Sequence, residues 1–267
     1  MKNYYEKILT VYVLISTCLS SHITRPTLTR SVSRAFDIGT SFHSLATRSL
    51  INLRILPLGD SITFGFSSSS GNGYRAQLQS MLNASFPSAT YIGSQKSGNM
   101  YNNVHEGYPS AVIDEIASKG LPSLTQQPNL ILLMAGTNDV IRPNKLDDAP
   151  QRLGALIDTI ILNCPMSTII VAQLPPIADP PEGEESGKLF NAKIPEILAL
   201  RQKAGKKVLL LNLSPDFSKA DLKDGLHPTD KGYEILAKIW YSGIQQVNKF
   251  GWLQEPISVD QKKGQPK

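Results

Sequence analysis

Short, almost wholly apolar runs constrain this chain more than any other feature. Residues 130–135, 168–174 and 207–213 are rich in Leu, Ile and Val. Runs of that length and content read as strands covered on both faces. Residues 54–58 form a similar run and 89–94 a weaker one. Between them the apolar period changes to that of a helix. Tyr74, Leu78, Met81 and Leu82 fall on one face over 72–86, and Val112, Ile113 and Ile116 over 111–117. Leu153, Leu156, Ile157, Ile160 and Ile161 do the same over 146–162. Tyr233, Leu236, Ala237 and Trp240 follow over 228–247, behind Pro228 as a helix-starting residue. Strands that alternate with helices are joined by crossovers and run parallel, which predicts an α/β three-layer sandwich.

The ends of the 267-residue chain read differently. Residues 1–20 have a basic start, an apolar stretch and a small-residue end at Cys18-Leu19-Ser20, the pattern of a secretory signal peptide. Residues 21–50 are rich in Ser, Thr and Arg and poor in acid, as in a flexible linker or pro-segment; an organellar transit peptide is the rival reading. One domain is expected over 51–250, and a loose polar tail over 251–267. Residues 1–50 hold six Lys/Arg against two Asp/Glu and so carry four of the five net positive charges. The nearly neutral body, with no basic stripe, gives no ground for nucleic-acid binding. Of the two cysteines, Cys18 lies in the expected signal, which leaves Cys164 as a structural thiol with no disulfide partner.

Three polar clusters sit at or beyond strand ends, where open parallel sheets bind ligands. They are Gly59-Asp60-Ser61, Gly136-Thr137-Asn138-Asp139 and Asp224-Gly225-Leu226-His227. Each residue alone is an ordinary turn or cap residue. Together they offer a nucleophile in Ser61, a base in His227 and an orienting carboxylate in Asp224. Asn138 can aim an amide at a developing oxyanion. Asp60 and Asp139 read as turn-stabilising carboxylates. His105-Glu106 lacks recognisable metal-ligand spacing, so no metal or cofactor is expected. Tyr74 and Tyr108 are either sugar-site or core aromatics, and 175–187 reads as a surface loop bordering the pocket.

The blocks L-G-D-S (58–61), H-E-G-Y-P-S (105–110), G-T-N-D (136–139) and D-G-L-H-P (224–228) resemble, in order, those of the SGNH (GDSL-type) hydrolases. P-L-G-D-S-I-T-F-G (57–65), G-N-G-Y-R (71–75), V-A-Q-L-P-P (171–176) and F-N-A-K-I-P (190–195) are similar to the carbohydrate esterase family 3 acetylxylan esterases. The resemblance implies a flavodoxin-like sheet of five parallel strands in the order 2-1-3-4-5. It implies catalysis by Ser61, Asp224 and His227, and an oxyanion hole from the Ser61 N–H, a second-block N–H and Asn138. Family members have glycine where this chain has Ser110; Gly107 is the alternative donor. The implied protein is a secreted, monomeric ester hydrolase that removes acetyl groups from xylan or related polysaccharides, without a cofactor or a membrane anchor. A lipid esterase, an acyltransferase and a silent carbohydrate-binding relative are the competing readings.

Overall fold

The computed structural model describes residues 49–142, 146–213 and 216–258. The expected signal peptide and all but the last two residues of the expected linker lie outside them. Seven strands form the sheet: β1 (Leu53–Gly59), β2 (Ala89–Tyr91), β3 (Gln95–Lys96), β4 (Val104–Gly107), β5 (Leu130–Met134), β6 (Thr168–Ala172) and β7 (Val208–Leu211). The helices are α1 (Ser61–Phe64), α2 (Arg75–Ser85), α3 (Ile113–Gly120), α4 (Thr137–Ile141), α5 (Ala149–Asn163), α6 (Glu182–Lys203) and α7 (Asp230–Lys249).

The five strands anticipated from the apolar runs pair in parallel in the order β2-β1-β5-β6-β7, which is the 2-1-3-4-5 arrangement. β5 and β6 are buried along their whole length, as strands covered on both faces must be. Helices α2 and α7 pack on one another, and α3, α5 and α6 pack in succession, giving the two outer layers.

Two features correct the sequence reading of the sheet. Among the described residues it has seven strands rather than five. β2 covers only the first half of the β1 edge, from Leu53 to Ile55, and β4 takes over at Leu58 and Gly59. β3 then adds antiparallel to β4. These two short strands are polar, so no apolar alternation announces them. The second correction is α6, whose first six residues were expected as loop. Its inward stripe is Gly183, Gly187, Phe190, Ile194 and Leu198. The spacing is helical, but glycines at the first two positions and Pro195 inside the helix hide it.

The segment after α7 is not loose over its described part. Leu253 is buried, and the Trp252 carbonyl accepts from Thr168 Oγ1 at 3.1 Å and Lys207 Nζ at 2.9 Å. Arg54 Nη1 donates to the Ile257 carbonyl at 2.9 Å, so this segment seals the amino-terminal ends of the strands.

Candidate active site

Adjacent strands bring the first parts of the site to one level. Gly59 at the end of β1 is in register with Met134 of β5 on one side and Gly107 of β4 on the other. Ser61 therefore leaves the sheet between the segments that carry Ser110 and Asn138. Gly59 is required by this close approach, since a Cβ there would lie 2.2 Å from the Met134 carbonyl oxygen. Asp60 caps α1, accepting from Ile62 N at 3.0 Å. Burial raises the pKa of its carboxyl, against the opposing pull of the Ile62 N–H, the Thr137 hydroxyl and His227. Its role is structural, as the turn chemistry suggested.

The loop 222–229 supplies the remaining groups from the far side of the sheet. It is pinned by Lys223 N to the His227 carbonyl at 2.8 Å and by Thr229 N to the Asp221 carbonyl at 2.8 Å. Gly225 sits at φ 81°, where an added Cβ would meet the Asp179 Cβ at 2.7 Å. Its carbonyl accepts from Ala178 N and Asp179 N, which locks the loop to the segment after β6.

On this frame His227 Nε2 stands 3.0 Å from Ser61 Oγ, and His227 Nδ1 stands 2.8 Å from Asp224 Oδ2. Asp224 Oδ1 accepts from His227 N at 2.7 Å and Leu226 N at 3.1 Å. Partial burial works to raise the Asp224 pKa, but the hydrogen bonds from His227 and Leu226 outweigh it and hold the carboxyl below its ordinary value. An anionic Asp224 fixes the proton of a neutral His227 on Nδ1, which leaves Nε2 free to accept from Ser61. This arrangement can deprotonate a serine hydroxyl and return the proton to a leaving group.

Asn138 is buried in α4, and its Nδ2 donates to the Ala111 carbonyl at 3.0 Å, which ties it to the segment carrying Ser110. The amide has a second hydrogen that this bond does not use. Ser110 adopts φ 65°, the left-handed conformation that glycine takes without cost. Its N–H has no acceptor among the described residues, and its carbonyl accepts from Arg142 Nη2 at 2.6 Å. The N–H of the alternative donor, Gly107, is buried and donates to His105 Nδ1 at 2.9 Å. Gly107 instead allows β4 to pass α1, where a Cβ would meet Phe64 N at 2.4 Å.

The other candidate residues are structural. His105 and Glu106, adjacent in a strand, point to opposite faces and cannot share a ligand. His105 Nε2 is 2.8 Å from Ser97 Oγ, and burial followed by the nearby Arg75 charge lowers its pKa to about 3. Glu106 accepts from Ser94, Ser123 and Tyr108. Tyr108 also donates to the Lys119 carbonyl, and Tyr74 is fully buried beside Trp240. Asp139 accepts from Ile113 N at 3.0 Å and Arg152 Nη1 at 2.7 Å. Cys164 is buried, with its thiol toward the Leu124 carbonyl. Sequence reasoning missed Arg142 and Phe66. The Phe66 ring lies 4.6 Å from the His227 ring, and its only sequence signal is its position five residues after Ser61.

Residues 58–235 match the GDSL-like Lipase/Acylhydrolase family. Among solved structures, a family 3 carbohydrate esterase from Clostridium thermocellum is 33% identical with a TM-score of 0.65, over 74% of this chain and 98% of that one. A carbohydrate esterase family 3 structure from Talaromyces cellulolyticus has the same fold at 21% identity, with a TM-score of 0.61 and coverage of 74% and 98%. A multidomain esterase from Ruminococcus flavefaciens is 28% identical over 80% of this chain. The match spans only 33% of that protein's length.

Proposed function

We propose, from the premise that the chain belongs to the GDSL-like lipase/acylhydrolase family and is a carboxylic-ester hydrolase close to carbohydrate esterase family 3, that it is an extracellular deacetylase of xylan or related plant polysaccharides. The observation that carries the mechanism is the continuous chain of contacts from Ser61 Oγ through His227 to Asp224, at 3.0 Å and 2.8 Å. Ser61 Oγ attacks the acetyl carbonyl carbon while its proton passes to His227 Nε2. Asp224 stabilises the imidazolium so formed. The oxyanion is received by the Ser61 and Ser110 N–H groups and by Asn138 Nδ2. Collapse breaks the ester C–O bond, and the sugar hydroxyl leaves with the proton from His227. Water, deprotonated by the same His227, then attacks the acetyl-serine and releases acetate.

The chemistry needs no metal ion and no cofactor, since nucleophile, base and oxyanion donors are all side-chain or backbone groups. Among the described residues no helix is long and apolar enough to cross a membrane. Export rests on the leader pattern over 1–20 and on the polymeric substrate, which is found outside cells.

The test is a series of p-nitrophenyl acetate, butyrate and octanoate, with Ser61→Ala beside the native protein, followed by acetylated xylan. Preference for acetate, lost in Ser61→Ala, and release of acetate from the polymer are expected. Preference for octanoate would overturn the polysaccharide reading in favour of a lipid ester.

A further inference from the structure

The loop that follows α1 presents an aromatic ring beside the site. Phe66 is 47% exposed although its ring centroid is 4.6 Å from that of His227, with the planes at 50°. The ring is held out on a rigid frame. Gly65 turns the chain at φ 92°, and a Cβ there would lie 2.6 Å from both the Gly71 carbonyl oxygen and Gly73 N. Ser67, on the other side of Phe66, takes φ 68°, a conformation that costs an L residue energy. The Phe66 backbone is fixed at both of its polar groups: its N–H donates to the Ser61 carbonyl at 3.0 Å, and its carbonyl accepts from Tyr233 Oη at 2.7 Å. The loop is anchored again by Ser69 N to Asp230 Oδ1 at 2.9 Å and by Ser68 Oγ to the Gly65 carbonyl at 2.7 Å. Beyond the ring, Ser69 and Ser70 are exposed.

We infer that Phe66 is a sugar platform, on which the pyranose ring bearing the scissile acetyl group lays its C–H face. The inference rests on the polysaccharide-deacetylase reading and goes beyond it by naming the residue that reads the carbohydrate rather than the acyl group. A pyranose has one face of axial and ring C–H groups and an edge of hydroxyls. A flat, half-exposed ring in a loop that goes on to exposed Ser69 and Ser70 matches both. An acyl chain would instead need an enclosed apolar slot, and Phe66 lies on open surface. The ring adjoins His227, which returns the proton to the sugar oxygen, so it stands on the leaving-group side of the reaction.

The test compares kcat/KM for an acetylated xylo-oligosaccharide with that for methyl acetate, whose leaving group is too small to cover the ring. In Phe66→Leu the ratio of the two values falls about tenfold, carried by KM for the oligosaccharide, because stacking on the ring is lost while apolar bulk stays. Phe66→Tyr restores the ratio. A proportional loss on both substrates would make Phe66 a support for His227 and overturn the platform. An unchanged ratio, or a loss that appears only when acetate is replaced by butyrate, would overturn it too. Ser61→Ala abolishes both activities; persistence of either would overturn the serine-esterase reading instead. Thermal melts of each variant separate these outcomes from unfolding.

Discussion

Replacing Ser110 by glycine, with and without Arg142, probes the proposal that the Ser110 N–H serves as an oxyanion donor from a conformation that glycine adopts freely. Ser110 holds φ 65°, and a left-handed conformation costs an L residue ~1–2 kcal/mol. Glycine removes that strain but regains about 0.5–1 kcal/mol of freedom in the unfolded chain. The net expectation for Ser110→Gly is a gain of up to ~1 kcal/mol, or roughly 2–4 °C in Tm for a domain of this size. In the native protein the strained conformer is held by Arg142 Nη2 on the Ser110 carbonyl at 2.6 Å. A hydrogen bond from a charged group contributes ~1.5–3 kcal/mol when buried, and exposure of both residues here brings it nearer ~1 kcal/mol. Arg142→Ala therefore releases Ser110 toward ordinary backbone regions, which turns its N–H from the oxyanion. Complete loss of one donor costs ~10²–10³ in kcat, and a partial population shift of ~1 kcal/mol costs up to about fivefold. In the Ser110→Gly background the same Arg142→Ala change costs about twofold or less, because glycine needs no help to stay at positive φ. The assay is kcat on p-nitrophenyl acetate around the double-mutant cycle, with KM recorded for each variant. Independent, multiplicative effects of the two changes would refute the argument. So would a loss of more than tenfold in Ser110→Gly alone, which would give the serine hydroxyl a function of its own.

The remaining predictions concern charge. If Asp224 holds His227 in the tautomer that accepts the Ser61 proton, as proposed, Asp224→Asn lowers kcat about 10²–10⁴-fold at neutral pH; an unchanged kcat counts against that role. His105 has its folded pKa lowered to about 3 from 6.5, chiefly by burial and then by Arg75. Its contribution to stability is therefore complete above pH 6.5 and is withdrawn as pH falls toward 3, at ~1.4 kcal/mol per unit. Urea unfolding at a series of pH values measures that slope, and a non-ionising His105→Asn variant flattens it. Arg152→Met leaves the fully buried Asp139 without its cation, a loss of ~3 kcal/mol. Burial already raises the Asp139 pKa to about 6, against the pull of Arg152 and the Ile113 N–H. Loss of Arg152 raises that pKa further, so the penalty is largest at alkaline pH and is withdrawn as pH falls toward 6, below which the carboxyl is protonated in both proteins; melts at pH 8 and pH 5 compare the two states.

The parallel core was legible because β5, β6 and β7 are apolar except for Thr168 and buried except at half-buried Leu210, and such runs have few alternatives in a chain of this length. The contacts among Ser61, His227 and Asp224 were legible for a different reason. Their residue types stand at strand ends and a helix start, and the topology leaves those ends one common edge. What stayed hidden lacks any periodic or chemical mark. β3 and β4 are short strands without an apolar run, and the buried stripe of α6 begins with two glycines. The contacts of Arg142 with Ser110 and of Phe66 with His227 depend on backbone conformations at Ser110 and Gly65, which no spacing of side chains reports. Gly107 was a plausible donor until its N–H was seen to be taken by the imidazole two residues earlier.

The central claim is that Ser61 carries the acyl group between the two halves of the reaction. Rapid quenching of the protein with p-nitrophenyl acetate in acid, followed by intact-mass and peptide mass spectrometry, tests it most directly. The account predicts a single added acetyl group on the peptide containing Ser61, formed in a burst, absent from Ser61→Ala and trapped more fully in His227→Ala if that variant still acylates. An acetyl group on another residue, or undiminished turnover in Ser61→Ala, would contradict it.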